Sequence, residues 1–320
     1  MGRLKIVYPV CCGMDVHRDF LIACIAATNA QGVTEYQSRR FSTYTGSLRE
    51  LRDWLLANDC KDVCMESTGK YWFPVHNILE ESCHVVVSHP KFVKAIKGKK
   101  TDKKDAQWIA DLFKHDLVRG SFIPPKDIRQ LRDLCRYWVK LSSYMTGEKN
   151  RAQNCLTVSN FKLDDVFSNV FGKSASAITT QLLEHPGEQF DVAPFVDGRC
   201  KTPIAQIQEA VDGIFTYEQA EKLKIIRGHM DSLERHKAEL ESLILEIAQN
   251  YLPQIELLLT VPGIHDAFTA IRILAEIGAD MTVFDTSKHL CSWAGLTPQN
   301  AESAGKKKTT RIGKSGAYLK

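Results

Sequence analysis

Two apolar runs and a third segment that can extend beside them crowd the first 41 residues and commit this part of the chain to a sheet. Residues 6–12, Ile-Val-Tyr-Pro-Val-Cys-Cys, read as a buried strand. Residues 20–26 and 33–41 read as a second and a third. Only Gly13-Met14-Asp15-Val16-His17-Arg18-Asp19 and the turn Asn29-Ala30-Gln31-Gly32 lie between them. Linkers this short join antiparallel neighbours, so the three runs form a meander. The period then changes. Leu48, Leu51, Trp54 and Leu55 mark a helix over 47–57, Val63-Cys64-Met65-Glu66 a short strand, 71–81 a helix and 84–88 another strand.

A meander followed by alternating helices and strands is the order of a ribonuclease-H-like α/β domain. After Pro90 comes Lys99-Lys100-Thr101-Asp102-Lys103-Lys104-Asp105-Ala106. Thr101 suits a helix N-cap, and acids suit a first turn, where the helix dipole is positive. Asp102 and Asp105 then share one face at i and i+3, and Ala106, Ile109, Ala110, Leu112 and Phe113 continue the helix with one buried stripe. Alone, the stretch reads as a solvated turn with Lys–Asp pairs. The sharper reading is half of a divalent-metal site.

Four carboxylates stand at strand ends or helix starts. Asp15 follows the first strand, Glu66 closes the fourth, and Asp102 and Asp105 open the helix after the fifth. In a ribonuclease-H-like sheet these positions converge on one edge. Hard oxygen donors at that density select Mg²⁺ or Mn²⁺ over zinc. Two such ions can activate a nucleophile and stabilise a leaving oxygen on a phosphodiester. Without cations or nearby lysines, four carboxylates would repel one another.

From about Pro125 the pattern is helical. Ile128, Leu131, Leu134, Trp138, Leu141 and Met145 mark one long helix to about Leu156. Ile226, Met230, Leu233, Leu240, Ile244 and Ile247 mark another over 217–250, with Lys237 interrupting. The pair suggests a coiled coil or helical arm, within one chain or between two. Residues 160–215, with Pro186, Pro194, Gly198 and Pro203, read as short helices and loops. Val261-Pro262-Gly263-Ile264 before an apolar helix, Ala267–Ile277, resembles half of a helix–hairpin–helix, or an ordinary Pro-Gly helix start.

The ten cysteines form no CxxC pair, which argues against a zinc site and fits a reducing cytoplasm. No run of about eighteen apolar residues implies a membrane span, and the N-terminus is too short and strand-like for a signal peptide. The net charge of +4 is mild but uneven. Lys91, Lys94, Lys97, Lys99, Lys100, Lys103 and Lys104 crowd one segment; Lys306, Lys307, Lys308, Arg311 and Lys314 crowd another. Such clusters are ordinarily solvated faces, but two of them suggest a polyanion partner.

Gly13-Met14-Asp15-Val16-His17, Met65-Glu66-Ser67-Thr68-Gly69 and Lys100-Thr101-Asp102-Lys103-Lys104-Asp105-Ala106, in this order and spacing, resemble the DEDD transposases of bacterial insertion sequences, understood as bridge-RNA-guided DNA recombinases. Val261-Pro262-Gly263-Ile264, Glu276-Ile277-Gly278, Phe284, Ala294-Gly295-Leu296, Pro298 and Ser303-Ala304-Gly305-Lys306 resemble that family's second domain. The resemblance implies a RuvC-like nuclease domain over 1–124, a helical coiled-coil region over 125–255 and a largely helical C-terminal transposase domain over 256–320. It carries catalytic and metal-binding roles onto Asp15, Glu66, Asp102 and Asp105, with Mg²⁺ or Mn²⁺ as cofactor, and a nucleophilic role onto Ser303. It also implies donor and target DNA and a guide RNA as partners, a homo-oligomer, dimer or tetramer, and a bacterial cytoplasmic setting.

The chemistry is coherent from below. A serine hydroxyl attacks phosphate once a base or metal helps remove its proton. A phosphoserine ester conserves the bond energy, so religation needs no ATP. Lys306, Lys307, Lys308 and Arg311 beside Ser303, and Lys97, Lys99, Lys100, Lys103 and Lys104 beside the acids, would neutralise nucleic-acid phosphates. Ser-Ala-Gly-Lys by itself is also an unremarkable turn. The family pattern continues past a basic Gly-x-x-x-Leu segment into a further helix. This sequence stops at Gly316-Ala317-Tyr318-Leu319-Lys320, so the expectation is a shortened C-terminal domain, with the positioning of Ser303 the part affected.

Three other readings stand beside this one. A structure-specific nuclease would use the four acids and water alone. A non-catalytic nucleic-acid-binding remnant would bind without cutting. An actin-like ATPase shares the meander but needs glycines beside the first Asp to cradle phosphate, and Val16-His17-Arg18 stand there.

Overall fold

The computed structural model describes residues 4–67, 69–93, 101–298, 301–303, 306–309, 311–312 and 316–319, with backbone alone at 92, 301–303 and 306–309. The chain divides into two compact units, Met1–Ile123 and Pro124–Lys320.

In the first unit, β1 (Val10–Val16), β2 (Phe20–Thr28) and β3 (Thr34–Ser42) form the expected meander. His17 N donates to Phe20 O at 2.9 Å and closes the first hairpin. At the second, the Asn29 side-chain oxygen accepts from Gln31 N and Val33 N. Helix α1 (Thr45–Ala57) leads to β4 (Asp62–Glu66), then α2 (Trp72–Leu79) and β5 (His84–Ser88). β4 lies parallel to β1, and β5 parallel to β4. The sheet order β3-β2-β1-β4-β5, antiparallel on one side and parallel on the other, is that of a ribonuclease-H-like, RuvC-like domain. A short α3 (Pro90–Val93) and then α4 (Asp102–Lys114) complete the unit.

The first strand is displaced from its expected span of 6–12. Val7 N and Tyr8 N both donate to Lys114 O, so this segment is held by the end of α4 instead of by a strand neighbour. Pairing with β2 runs on through Val16, which places Asp15 inside the strand and not after it.

The sheet buries both faces. Met14, Val16, Leu21, Ile25, Phe41, Val63 and Met65 pack under α1 and α2. Cys11, Ala26 and Cys64 pack on the opposite face against Ile109, Ala110 and Phe113 of α4. Burial pushes the Cys11 and Cys64 thiols up to about 12, so they behave as small apolar side chains.

The second unit is built on two long helices, α5 (Lys126–Val158) and, further on, α9 (Tyr217–Ala248). They pair within one chain and run antiparallel. Trp138 Nε1 donates to Glu241 at 2.7 Å, while His229 meets Glu148 at 3.1 Å. Leu131, Leu141, Met145, Leu233, Leu240 and Ile244 fill their seam. Between them α6 (Leu163–Val166), α7 (Lys173–Glu184) and α8 (Ile204–Ala210) close a separate core around Phe161, Leu163, Ile178, Val192 and Ile207. Beyond α9 come α10 (Leu252–Leu259), α11 (Ala267–Ile277) and α12 (Ser287–Trp293), then a hairpin of β6 (Ala301–Ser303) and β7 (Lys306–Thr309). Arg136 forks onto the buried Glu276 carboxylate with two bonds of 2.7 Å, fixing the end of α11 to α5. Asp266 caps the start of α11 by accepting from Thr269 N at 2.8 Å, so a carboxylate already occupies the helix end beside Pro262-Gly263. Among the described residues no helix is long and apolar enough to cross a membrane.

Candidate metal centre

The centre starts from a glycine. α4 rests directly on the backbone of β1 at Gly13, where an added Cβ would stand 2.3 Å from Ala106 O and from Ala110 N. That close approach sets the first turn of α4 against the end of β1. Thr101 caps the turn, its hydroxyl accepting from Lys104 N at 3.4 Å. Asp102 and Asp105 therefore sit where the helix dipole favours negative charge.

Asp15 lies on β1 and His17 directly follows its end, where the extended backbone continues through the His17 N to Phe20 O bond, so the two face the same side of the sheet. His17 Nε2 lies 3.2 Å from Asp15 Oδ2 and 3.7 Å from Asp102 Oδ1. One donor atom from each of Asp15, His17 and Asp102 falls within 4.8 Å of the others. The Asp15 side chain is only 16% exposed. Its carboxyl is held above the usual carboxylate range, chiefly by burial; His17 pulls it down, and the charges of Asp105, Asp102 and Glu66 push it up. The other three acids thus add their charge at Asp15, but only Asp102 joins Asp15 and His17 in the group within 4.8 Å. Glu66 is the last residue of β4, half-buried and paired with Ser88 on β5; Asp105 is half-buried too.

This donor set fits a divalent cation. Two carboxylates and an imidazole converge, the charges of Asp105 and Glu66 reach the same point, and Asp15 is half-buried in a field that disfavours its charge. A cation would reverse that penalty. His17 was not among the residues expected in the site. The signal is its i+2 spacing from Asp15, which becomes a shared face only because the extended backbone of β1 runs on through Val16 to His17.

The remaining expected site residues fall elsewhere. Lys103 and Lys104 are exposed on the first turn of α4. Lys97, Lys99 and Lys100 lie outside the described residues. Ser303 ends β6 and pairs with Lys306 at the start of β7; Lys307 and Lys308 follow on that strand, and Arg311 beyond it is exposed. These belong to the second unit.

Residues 12–160 match the family described as "Transposase", of the DEDD IS110 type. Residues 255–319 match "Transposase IS116/IS110/IS902 family". No curated protein matches the chain. Among solved structures, that of Thermus thermophilus RuvC is 14% identical, with 35% of this chain and 99% of that one covered, at a TM-score of 0.29. T. thermophilus RuvC in complex with Holliday junction substrate is 13% identical, with the same coverage, at 0.27. The Fowlpox virus resolvase and substrate Holliday junction DNA complex is 14% identical, with 32% and 72% covered, at 0.23. The strand order carries the fold assignment, not these superpositions.

Proposed function

We propose a reaction on one premise: the chain belongs to the IS110 family of DEDD transposases, which are DNA phosphoryl-transfer enzymes. In this reading Asp15, Glu66, Asp102 and Asp105 form the catalytic acidic site and hold Mg²⁺ or Mn²⁺. The single observation behind it is the meeting of donor atoms from His17, Asp102 and the half-buried Asp15 within 4.8 Å, in the electrostatic field of Asp105 and Glu66. Oxygen-rich donors favour hard cations. A bound divalent ion would supply Lewis acidity at the phosphoryl oxygens and at the leaving oxygen.

Ser303 is the proposed nucleophile. Its Oγ forms a new bond to the DNA phosphorus as the bond to the departing sugar oxygen breaks. The proton released by the serine ends on that sugar hydroxyl. One phosphoester replaces another, so a second DNA hydroxyl can reverse the step and join a new strand. His17, bonded to Asp15 and close to Asp102, orients the two carboxylates. The basic residues at 97, 99, 100, 103 and 104, and at 306, 307, 308 and 311, would bind the nucleic-acid backbone. A guide RNA that selects donor and target, a dimer or tetramer, and a bacterial cytoplasmic setting belong to the same reading and rest on the family resemblance.

A nuclease that uses the acids and water remains the second reading, because the acids all lie within Met1–Ile123 while Ser303 lies outside it. End-labelled DNA carrying the element's ends, incubated with protein, its flanking RNA and Mn²⁺, then run on a denaturing gel, separates the two. The transposase gives a covalent protein–DNA band that Ser303→Ala abolishes. If Ser303→Ala cleaves normally and no variant forms the band, the serine role is wrong.

A further inference from the structure

Phe20 and Arg40 belong to neither the acidic set nor the lysine clusters, yet they extend the acidic face. Asp15 pairs with Ile22 across β1 and β2, and Ile22 pairs with Arg40 across β2 and β3. Residues directly opposite in a sheet share a face, so Asp15, Ile22 and Arg40 form one row. Strands about 4.8 Å apart put the Arg40 Cα roughly 10 Å from that of Asp15. The Arg40 guanidinium lies over the Phe20 ring, 4.1 Å from its centroid. The other neighbour of that ring is His17, with centroids 4.8 Å apart. One aromatic ring thus links the imidazole of the acidic site to a cation at the sheet edge.

Among the described residues no carboxylate pairs with Arg40, and the residue is exposed. A guanidinium laid on a ring keeps its N–H fork directed outward and loses little further freedom on binding a planar anion. β3 is the edge strand, so a backbone can reach it. The neighbouring acids would repel DNA unless a fixed positive charge on the same face held the strand in place. The adjacent Arg39 points the other way and stacks on Phe41, which belongs to the core under α1.

We propose that Arg40, seated on Phe20, clamps the DNA backbone one or two phosphates from the bond that the acidic site cuts. This rests on the reading of that site as a DNA-cutting centre. Arg40 is a strand-positioning residue, and Phe20 fixes it relative to His17.

The test is fluorescence anisotropy of the full chain with a fluorescein-labelled single-stranded DNA oligonucleotide, in EDTA, over a series of NaCl concentrations. Arg40→Gln weakens binding several-fold and lowers the slope of log affinity against log salt by about 0.7, one single-strand phosphate contact. Arg39→Gln, on the same edge but the opposite face, changes neither. Arg40→Lys keeps the slope but binds more weakly than wild type. Phe20→Leu matches Arg40→Gln, and the double variant is no weaker than either. Arg40→Gln with native circular dichroism and wild-type affinity and slope overturns the clamp. A parallel Mn²⁺-dependent plasmid-nicking assay on Asp15→Asn examines the cutting site by itself: retained nicking there removes that site and with it the clamp's role in cutting, whereas lost nicking beside unchanged Arg40→Gln binding removes only the clamp.

Discussion

Asp15 Oδ2 lies 3.2 Å from Nε2 of His17, the residue just past the end of β1, and this contact only partly offsets the burial that opposes ionisation of Asp15. With its folded pKa raised, Asp15 loses its proton at lower pH in the unfolded chain than in the folded one. At low pH both states are protonated and the site costs nothing. As pH rises through the folded pKa, the ionised carboxylate destabilises the metal-free fold. Asp15→Asn removes that cost. In EDTA at neutral pH the variant should melt a few degrees above wild type, and the gap should close as pH falls toward 4. Added Mn²⁺ should reverse the order by stabilising wild type through binding. Thermal melts across pH, with and without Mn²⁺, check all three statements. A variant that melts at or below wild type in EDTA at neutral pH would refute the cost.

Gly13→Ala tests the seat of α4. The new Cβ would meet backbone atoms of Ala106 and Ala110, which cannot rotate aside as a side chain can. The helix has to lift, at a cost of about 1–3 kcal/mol or more, and the first turn moves with it. We expect a lower urea midpoint together with weaker Mn²⁺ binding in titration calorimetry. An unchanged midpoint would mean that the close packing does not persist in solution.

Much of this was legible beforehand. The meander, the helix opening at Thr101 and the end of α11 at Gly278 follow from local chemistry: strand-length segments joined by short turns, a capping hydroxyl and a residue at φ 82°. What was not legible depends on contacts distant in sequence. Asp15 reads as following the first strand because the apolar run ends at Cys12, whereas the strand continues through Gly13, whose missing side chain admits α4. His17 joins the site only through the strand register. Residues 160–215 lack a clear period because several short helices share one core, so no single helix needs a regular stripe.

Lys237 illustrates the same limit. In sequence it interrupts the apolar pattern of α9; in the fold its ammonium lies 4.3 Å from the centre of the Trp138 ring on α5. The lysine thus completes the helix seam through its charge. A double-mutant cycle of Lys237→Met and Trp138→Leu should show coupling of about 0.5–1 kcal/mol in urea denaturation. Additive effects would make Lys237 a simple surface residue.

Thr101→Ala separates site geometry from overall stability. The cap satisfies one amide at the start of α4, and losing such a cap costs about 0.5–2 kcal/mol. That loss falls on the turn carrying Asp102 and Asp105, while the buried stripe from Ala106 to Phe113 still anchors the rest of the helix. Fraying should therefore lower the population of the metal-binding arrangement more than it lowers the melting temperature. We expect several-fold weaker Mn²⁺ binding with a shift of only a few degrees in the melt, and recovery of both in Thr101→Ser, which keeps the hydroxyl. Wild-type metal affinity in Thr101→Ala would show that the acids hold their places without the cap, leaving the seat on Gly13 to position them alone.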